Sequence, residues 1–447
     1  MRYVRTAPIR HFRRLSAAGD DSLNAPAGRP EEASVSACRG TSDRAVRVDP
    51  RKELSGSVLR RRAGSGVAGA CVLGGAVLLS GCSLLGVGGE DREDEIPPLP
   101  TLEPLAAVET SWTADAGAGI GDHWLVLTPT VEGGRLYVAD ARGRVFAFEA
   151  GTGRTAWRTD TRAEITGGVG SGSGLVVAGT AEGEVLALSA GSGEVAWKST
   201  VSSEVLSRPR VAGDRVVVRT LDGKLFGLDA GTGEPQWSYD GGVPSLSVRG
   251  TGPPAIVSDV AFAGFDNGRL AAVRHTNGEV LWEAVVSSAR GQSELDRLAD
   301  IDTEPVVVQG TVHAASYERG VAALDGETGR VLWRRDIETR TGLAADSDLL
   351  YAASTDGTVQ ALDRISGATV WTEDSLTGRG PAWPTVHGAF VAVVDSEGYV
   401  HWLRREDGRP AVRTPTGGGQ LAGPPIVEAG RLVVYWGRGR LAAYELR

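Results

Sequence analysis

The chain has 447 residues, with 62 Gly, 11 Trp, 7 Phe and 3 Cys, and a formal net charge of −9. Charge is divided along it: residues 1–81 carry 14 Lys+Arg and 7 Asp+Glu, a net of +7, and the remainder carries 33 and 49, a net of −16. The acidic body excludes nonspecific nucleic-acid binding and a basic lipid-binding surface. The cysteines, Cys38, Cys71 and Cys82, leave no disulfide framework and no Cys-based zinc site from residue 83 onward.

Residues 1–57 lack hydrophobic periodicity and contain "SAAGDDSLNAPAGRPEEASVSA". They read as a disordered or wrongly assigned extension, with Val58 as the expected true first residue. Residues 58–81, "VLRRRAGSGVAGACVLGGAVLLSG", place three arginines before an apolar run that ends in small residues. The run is close to the roughly 20 residues of a membrane-spanning helix. Its Gly/Ala richness, basic start and small-residue end fit a signal peptide better. Leu79-Ser80-Gly81-Cys82 resembles the bacterial lipobox, which implies lipid attachment at Cys82 and anchoring of the protein to a membrane through that lipid. By the same resemblance, the non-aspartate Ser83 implies transfer to the outer membrane. Residues 82–104 are rich in Gly, acidic residues and Pro, and are expected to form a lipidated flexible tether.

From residue 105 the chain repeats. "AFEAGTGRTAW" (147–157), "ALSAGSGEVAW" (187–197), "GLDAGTGEPQW" (227–237), "AVRHTNGEVLW" (272–282), "ALDGETGRVLW" (323–333) and "ALDRISGATVW" (361–371) are copies of one motif. A seventh, "WLRREDGRPAV" (402–412), ends in Val412 where Trp is expected. Each copy follows two alternating runs joined by a tight Gly turn, the sign of a hairpin. Each unit is therefore a four-stranded antiparallel sheet of about 40 residues, which buries both faces only by stacking radially on its neighbours. Trp112, Trp157, Trp197, Trp237, Trp282, Trp333 and Trp371 are expected to dock between blades.

The last unit ends at Arg447 without a Trp strand, and "LAAVETSW" (105–112) supplies one. The expected fold is all-β: an eight-bladed propeller over 105–447 whose last blade is closed by the N-terminal strand. The five histidines of this region lie apart, without metal-ligand spacing, and no nucleophile signature is present. No catalytic residue, metal or cofactor is expected.

These repeats resemble the tryptophan-docking repeats of quinoprotein dehydrogenases, which are eight-bladed and hold pyrroloquinoline quinone with calcium. Such enzymes often carry a vicinal Cys pair beside the quinone, which this chain lacks; an enzyme of that kind is the alternative reading.

A more specific resemblance covers "VPSLSVRG" (243–250), "DNGRL" (266–270), "SELDRLADIDTEP" (293–305) and "DSEGYVHWL" (395–403), together with the lipobox. These stretches are similar to the BamB family of outer-membrane assembly lipoproteins. That resemblance implies a non-catalytic scaffold on the periplasmic face of the outer membrane. Its implied partners are the POTRA region of BamA, the other lipoproteins of the barrel-assembly (BAM) complex and unfolded outer membrane proteins. It carries the partner-binding role to Leu246, Val248 and Arg249 in the first stretch and to Asp300 and Asp302 in the third. Both stretches join consecutive blades and are expected to emerge side by side at one end. In extended chain, Leu246 and Val248 share a side, as do Asp300 and Asp302. A partner reads these groups directly, or Arg249 pairs with Asp300 or Asp302 inside the propeller with Leu246 in the core; both can hold, since an internal ion pair can shape a loop that the partner reads.

Overall fold

The computed structural model describes residues 96–244, 252–287, 299–317 and 320–447. Eight four-stranded antiparallel sheets form a ring, an eight-bladed β-propeller. Blades 1 to 7 span residues 130–160, 165–200, 210–240, 255–285, 306–335, 343–373 and 382–415. Blade 8 takes its three inner strands from 426–446 and its outer strand from Val108–Asp115, which pairs antiparallel with Arg440–Leu446.

Within blades 1 to 6 the same register recurs. The motif Trp on the outer strand pairs with a small residue on the third strand: Ala147 with Trp157, Ala187 with Trp197, Gly227 with Trp237. Ala272, Ala323 and Ala361 face Trp282, Trp333 and Trp371 in the same way, each next to a β-bulge. The indole then reaches the following blade. Trp112, Trp157, Trp197, Trp237, Trp282, Trp333 and Trp371 donate through Nε1 to the carbonyls of Ala150, Ala190, Ala230, His275, Gly326, Arg364 and Arg405, at 2.8–3.0 Å.

The ring faces of these indoles rest on the motif glycines. A Cβ on Gly153, Gly193, Gly233, Gly278, Gly329, Gly367 or Gly408 would lie 2.4–2.9 Å from the docked ring. The same glycines hold φ of 68–78°, a left-handed turn conformation. One residue type thus answers both the turn and the approach of the indole.

Blade 7 inverts the pair. Trp402 stands on the third strand where its sisters have Ala or Gly, and it faces Val412. Trp402 is fully buried, donates Nε1–H to His387 Nδ1 at 3.0 Å, and meets Tyr444 of blade 8 edge-on at 6.3 Å. Exchanging large and small across the pair keeps the volume that the junction needs.

Residues N-terminal to blade 8's outer strand cover the outer edge of blade 7. The Pro97 carbonyl accepts from Arg379 Nη1 at 2.7 Å and that of Pro100 from Arg413 Nη2 at 2.6 Å. Leu105 N–H donates to Ala411 O at 2.8 Å, and Leu99 packs beside Trp371 and Leu376. The inner strands that line the axis are mostly three residues long. Five of them follow a proline directly: Pro129, Pro209, Pro254, Pro305 and Pro425. Short strands headed by a residue without N–H blunt an edge that would otherwise invite pairing.

Candidate functional site

The turn between the second and third strands of each blade lies against a blade-to-blade connection. In blades 1, 2 and 7 a short polar side chain caps this turn. Asp140 Oδ1 accepts from Arg144 N, Thr180 Oγ1 from Glu184 N and Asp395 Oδ1 from Tyr399 N, at 2.8–2.9 Å. Blade 4 departs from the pattern. Phe265 takes the capping position and the acid follows it as Asp266. Blade 3 departs one residue earlier: Arg219 stands where five other blades carry Ala139, Gly179, Gly264, Ala315 and Ala353, and the remaining two Val394 and Tyr435. The two departures answer each other. Arg219 Nη2 donates to Asp266 Oδ1 in a fully buried ion pair, and the guanidinium lies 5.2 Å from the centre of the Phe265 ring.

Both connections singled out in the sequence bracket this blade 4 turn. Asn267 Nδ2 donates to Gly241 O at 2.7 Å, where the first connection begins. The first connection ends at Gly252, so close to the second that a Cβ there would lie 2.5 Å from Thr303 O. The second threads between the turns of blades 4 and 5. Ile301 N–H donates to Phe265 O at 3.3 Å and Tyr317 N–H to Asp300 O at 2.8 Å. The Ala299 carbonyl accepts from Ser287 Oγ at 2.8 Å and Ser316 Oγ at 2.9 Å.

This pinning sets the acidic residues at period two, all from one strip of chain. Asp300 is fully buried. Asp302 is half-buried, and its pKa is pushed up to about 7. Burial is the main cause; Arg219 pulls it down, but Asp266 and Asp300 push it further up. Glu304 reaches the axis, where it bridges two arginines of blade 3: it accepts from Arg208 Nη2 at 2.8 Å and pairs with Arg210 Nη2.

Asp300 and Asp302 are thus brought to one place. Leu246, Val248 and Arg249 lie outside the described residues, as does Cys82, although Gly242 and Gly252 fix where their loop leaves and returns. Sequence reading missed Arg219, Asp266, Arg208, Arg210 and Glu304. Two signals were available: an arginine ending the apolar run "VVVR", and an acid displaced by one position in "FDNG". Among the described residues, no group of three His, Asp or Glu side chains is placed to hold a metal ion.

The ring, its tryptophan docks and a buried charged cluster between consecutive connections define a tryptophan-docking propeller with one specialised sector. A family model described as outer membrane protein assembly factor BamB matches residues 109–165, 141–373 and 356–447. Outer membrane protein assembly factor BamB of Alkalilimnicola ehrlichii is 45% identical over 370 residues, which covers 83% of this chain and 96% of that protein. The crystal structure of BamB from Moraxella catarrhalis superposes with a TM-score of 0.69 at 30% identity, covering 76% of this chain and all of that one. The chain belongs to the BamB family of outer membrane protein assembly factors. Quinohemoprotein alcohol dehydrogenase from Comamonas testosteroni shares the fold alone, with a TM-score of 0.58 at 14% identity over 75% of this chain and 76% of that one.

Proposed function

We propose that the protein is a non-catalytic scaffold of the outer-membrane β-barrel assembly machinery, held on the periplasmic face of the outer membrane through lipid on Cys82. Its sector at blades 3 to 5 binds the POTRA region of the barrel subunit BamA, beside the other lipoproteins of the machinery. The observation that carries this reading is the bracketing of the blade 4 turn. Asn267 ties the first connection to this turn, the Phe265 and Tyr317 backbone bonds tie the second to the turns of blades 4 and 5, and the two connections meet at Gly252 and Thr303. Backbone bonds of this kind recur at other junctions, as in Val205 N–H to Thr180 O and Leu221 N–H to Glu204 O; among the described residues, the Asn267 bond and the buried Arg219–Asp266 pair set this sector apart.

In this reading Leu246, Val248 and Arg249 meet the partner. Asp300 and Asp302 are positioning residues: Asp300 has no exposed surface, so it acts through the segment it anchors. Apolar side chains beside a guanidinium suit the edge or loop of a small partner domain.

The test is Arg249→Glu in the full chain, expressed in membranes and purified through its partner. Copurification of BamA should fall about tenfold or more, as for loss of a buried charged contact, while the melting temperature stays unchanged. Copurification at the wild-type level would overturn the assignment of this sector.

A further inference from the structure

At the axis the inner strands and the residues that lead into them enclose a cavity of about 1090 Å³. Its wall is largely apolar, with Leu206, Ile256, Val307 and Leu343 among its side chains. Two features interrupt that wall.

The first is cationic. Arg208 and Arg210 stand at period two leading into blade 3 and share a single carboxylate, Glu304. Their other partners are backbone carbonyls: Pro129 O at 3.5 Å from Arg208 Nη1 and Pro254 O at 2.9 Å from Arg210 Nε. Each guanidinium has five N–H donors in a planar fork. Arg208 Nε is buried and has no hydrogen-bond partner among the described residues. The one carboxylate in direct contact with the two guanidiniums among the described residues is that of Glu304. Arg340 lies 4.8 Å from the centre of the Tyr317 ring. Burial pushes the Arg208 pKa down to about 10, and burial with the Arg208 charge lowers Arg210 as well.

The second feature is aromatic. Trp124, also part of this wall, is 90% exposed, whereas the other large apolar side chains among the described residues are mostly packed. Tryptophan and arginine are side chains that binding surfaces use as anchors. Trp383, half-buried in the same wall, is held at φ 46°, a conformation uncommon for a bulky residue. A β-bulge between Ala382 and Thr385 carries it there.

We propose that this cavity is a binding site for the carboxylate-bearing end of an extended polypeptide, with the carboxylate between Arg208 and Arg210 and an aromatic side chain against Trp124. A second carboxylate beside Glu304 would bring the arginine pair to charge balance, and planar bidentate contact is what a guanidinium fork offers a carboxylate. The apolar wall accommodates side chains on both sides of an extended chain. The cavity is slightly larger than the usual small-molecule pocket, which favours several residues of peptide. This site does not depend on the partner assigned to blades 3 to 5, although Glu304 lies on the same segment as Asp300 and Asp302.

The experiment uses the full-length protein in detergent and a fluorescent peptide of roughly six residues ending in an aromatic residue. One form carries a free terminal carboxylate and the other a terminal amide. Anisotropy should show the acid binding about tenfold more tightly than the amide, the order of one charge-assisted contact. Arg210→Gln should remove that difference and leave weak, equal binding. Trp124→Ala, at an exposed position that does not threaten the fold, should weaken both peptides about fivefold or more. The acid preference should also shrink between about 0.05 and 0.5 M salt. Equal binding of acid and amide by the wild-type protein overturns the proposal, as does an acid preference that survives Arg210→Gln. Copurification of BamA by the Trp124→Ala protein stays at the wild-type level.

Discussion

Two buried charge clusters sit at corresponding places in the propeller and differ in how completely they are satisfied. In blade 7, Asp395 accepts Tyr399 N–H through Oδ1, and Arg379 Nε and His401 Nε2 through Oδ2, at 2.8, 2.8 and 3.0 Å. Arg379 continues to the Pro97 carbonyl. Burial alone would raise the Asp395 pKa, but the bonds from His401, Tyr399 and Arg379 outweigh it and hold the carboxyl below its ordinary range. At blades 3 to 5, Arg219 lies among Asp266, Asp300 and Asp302, and burial wins: Asp302 is pushed up. Arg219 Nε and Nη1, Asp266 Oδ2 and Asp302 Oδ1 are buried without hydrogen-bond partners among the described residues. A closed network holds a junction together. An under-compensated one is a cost that a purely structural junction has no reason to carry.

The comparison can be broken from either side. Asp395→Ala should have the largest effect, because it strands Arg379 and His401 in the interior. About 3–5 kcal/mol should be lost in denaturant midpoints, with no change in BamA copurification at low temperature. Asp302→Asn should do the reverse. The native pKa of Asp302 lies above the unfolded value, so its stabilising share is complete below about pH 4 and is lost as pH rises through about 7. The Asn variant should match wild type near pH 4 and exceed it at pH 8, by up to about 4 kcal/mol. Asp395 has the opposite sign: its contribution is present above about pH 4 and is lost as acid protonates it. Wild-type melting curves across this range therefore carry both slopes, and each variant removes one. The smallest effect belongs to a neutral cap. Thr180→Val in blade 2 removes the bond to Glu184 N–H and should cost about 1 kcal/mol, independent of pH.

Much of the ring was legible because its grammar is local. Trp, Gly and the small residue opposite Trp recur within one motif, and a sheet that cannot bury itself must stack. The missing outer strand at the C-terminus and the spare one before Trp112 gave the seam. Blade 7 was half legible: "WLRREDGRPAV" shows the lost Trp at its end, and the gained one stands at its start. Reading both together requires the cross-strand register, which pairs Trp402 with Val412. The charged contacts were out of reach for a different reason. Arg208 meets Glu304 across 96 residues of chain and Arg219 meets Asp266 across 47, with no periodic pattern linking them. The segment along blade 7 was hidden too, since its Pro and acidic composition suggests a tether while three of its backbone groups are bonded to the outer strand and the turn beside it.

The pairing of Val108–Asp115 with Arg440–Leu446 sets a timetable. Synthesis delivers the first of these strands at the start of the propeller and the second at its end; Glu109 and Arg447, which meet at the zipper's edge, are 338 residues apart in sequence. Seven blades can form as they appear, each from local hairpins. The ring stays open, with a bare strand waiting, until the final residues arrive. Loop entropy is a small obstacle, since closing so long a span costs only about 2 kcal/mol more than closing one blade. Time is the larger one: throughout that interval the unpaired edge is open to any passing strand. A member of a family named for outer membrane protein assembly must itself complete a β-closure across the whole propeller, so truncation by even one strand at the C-terminus should yield a chain that aggregates rather than a seven-bladed survivor.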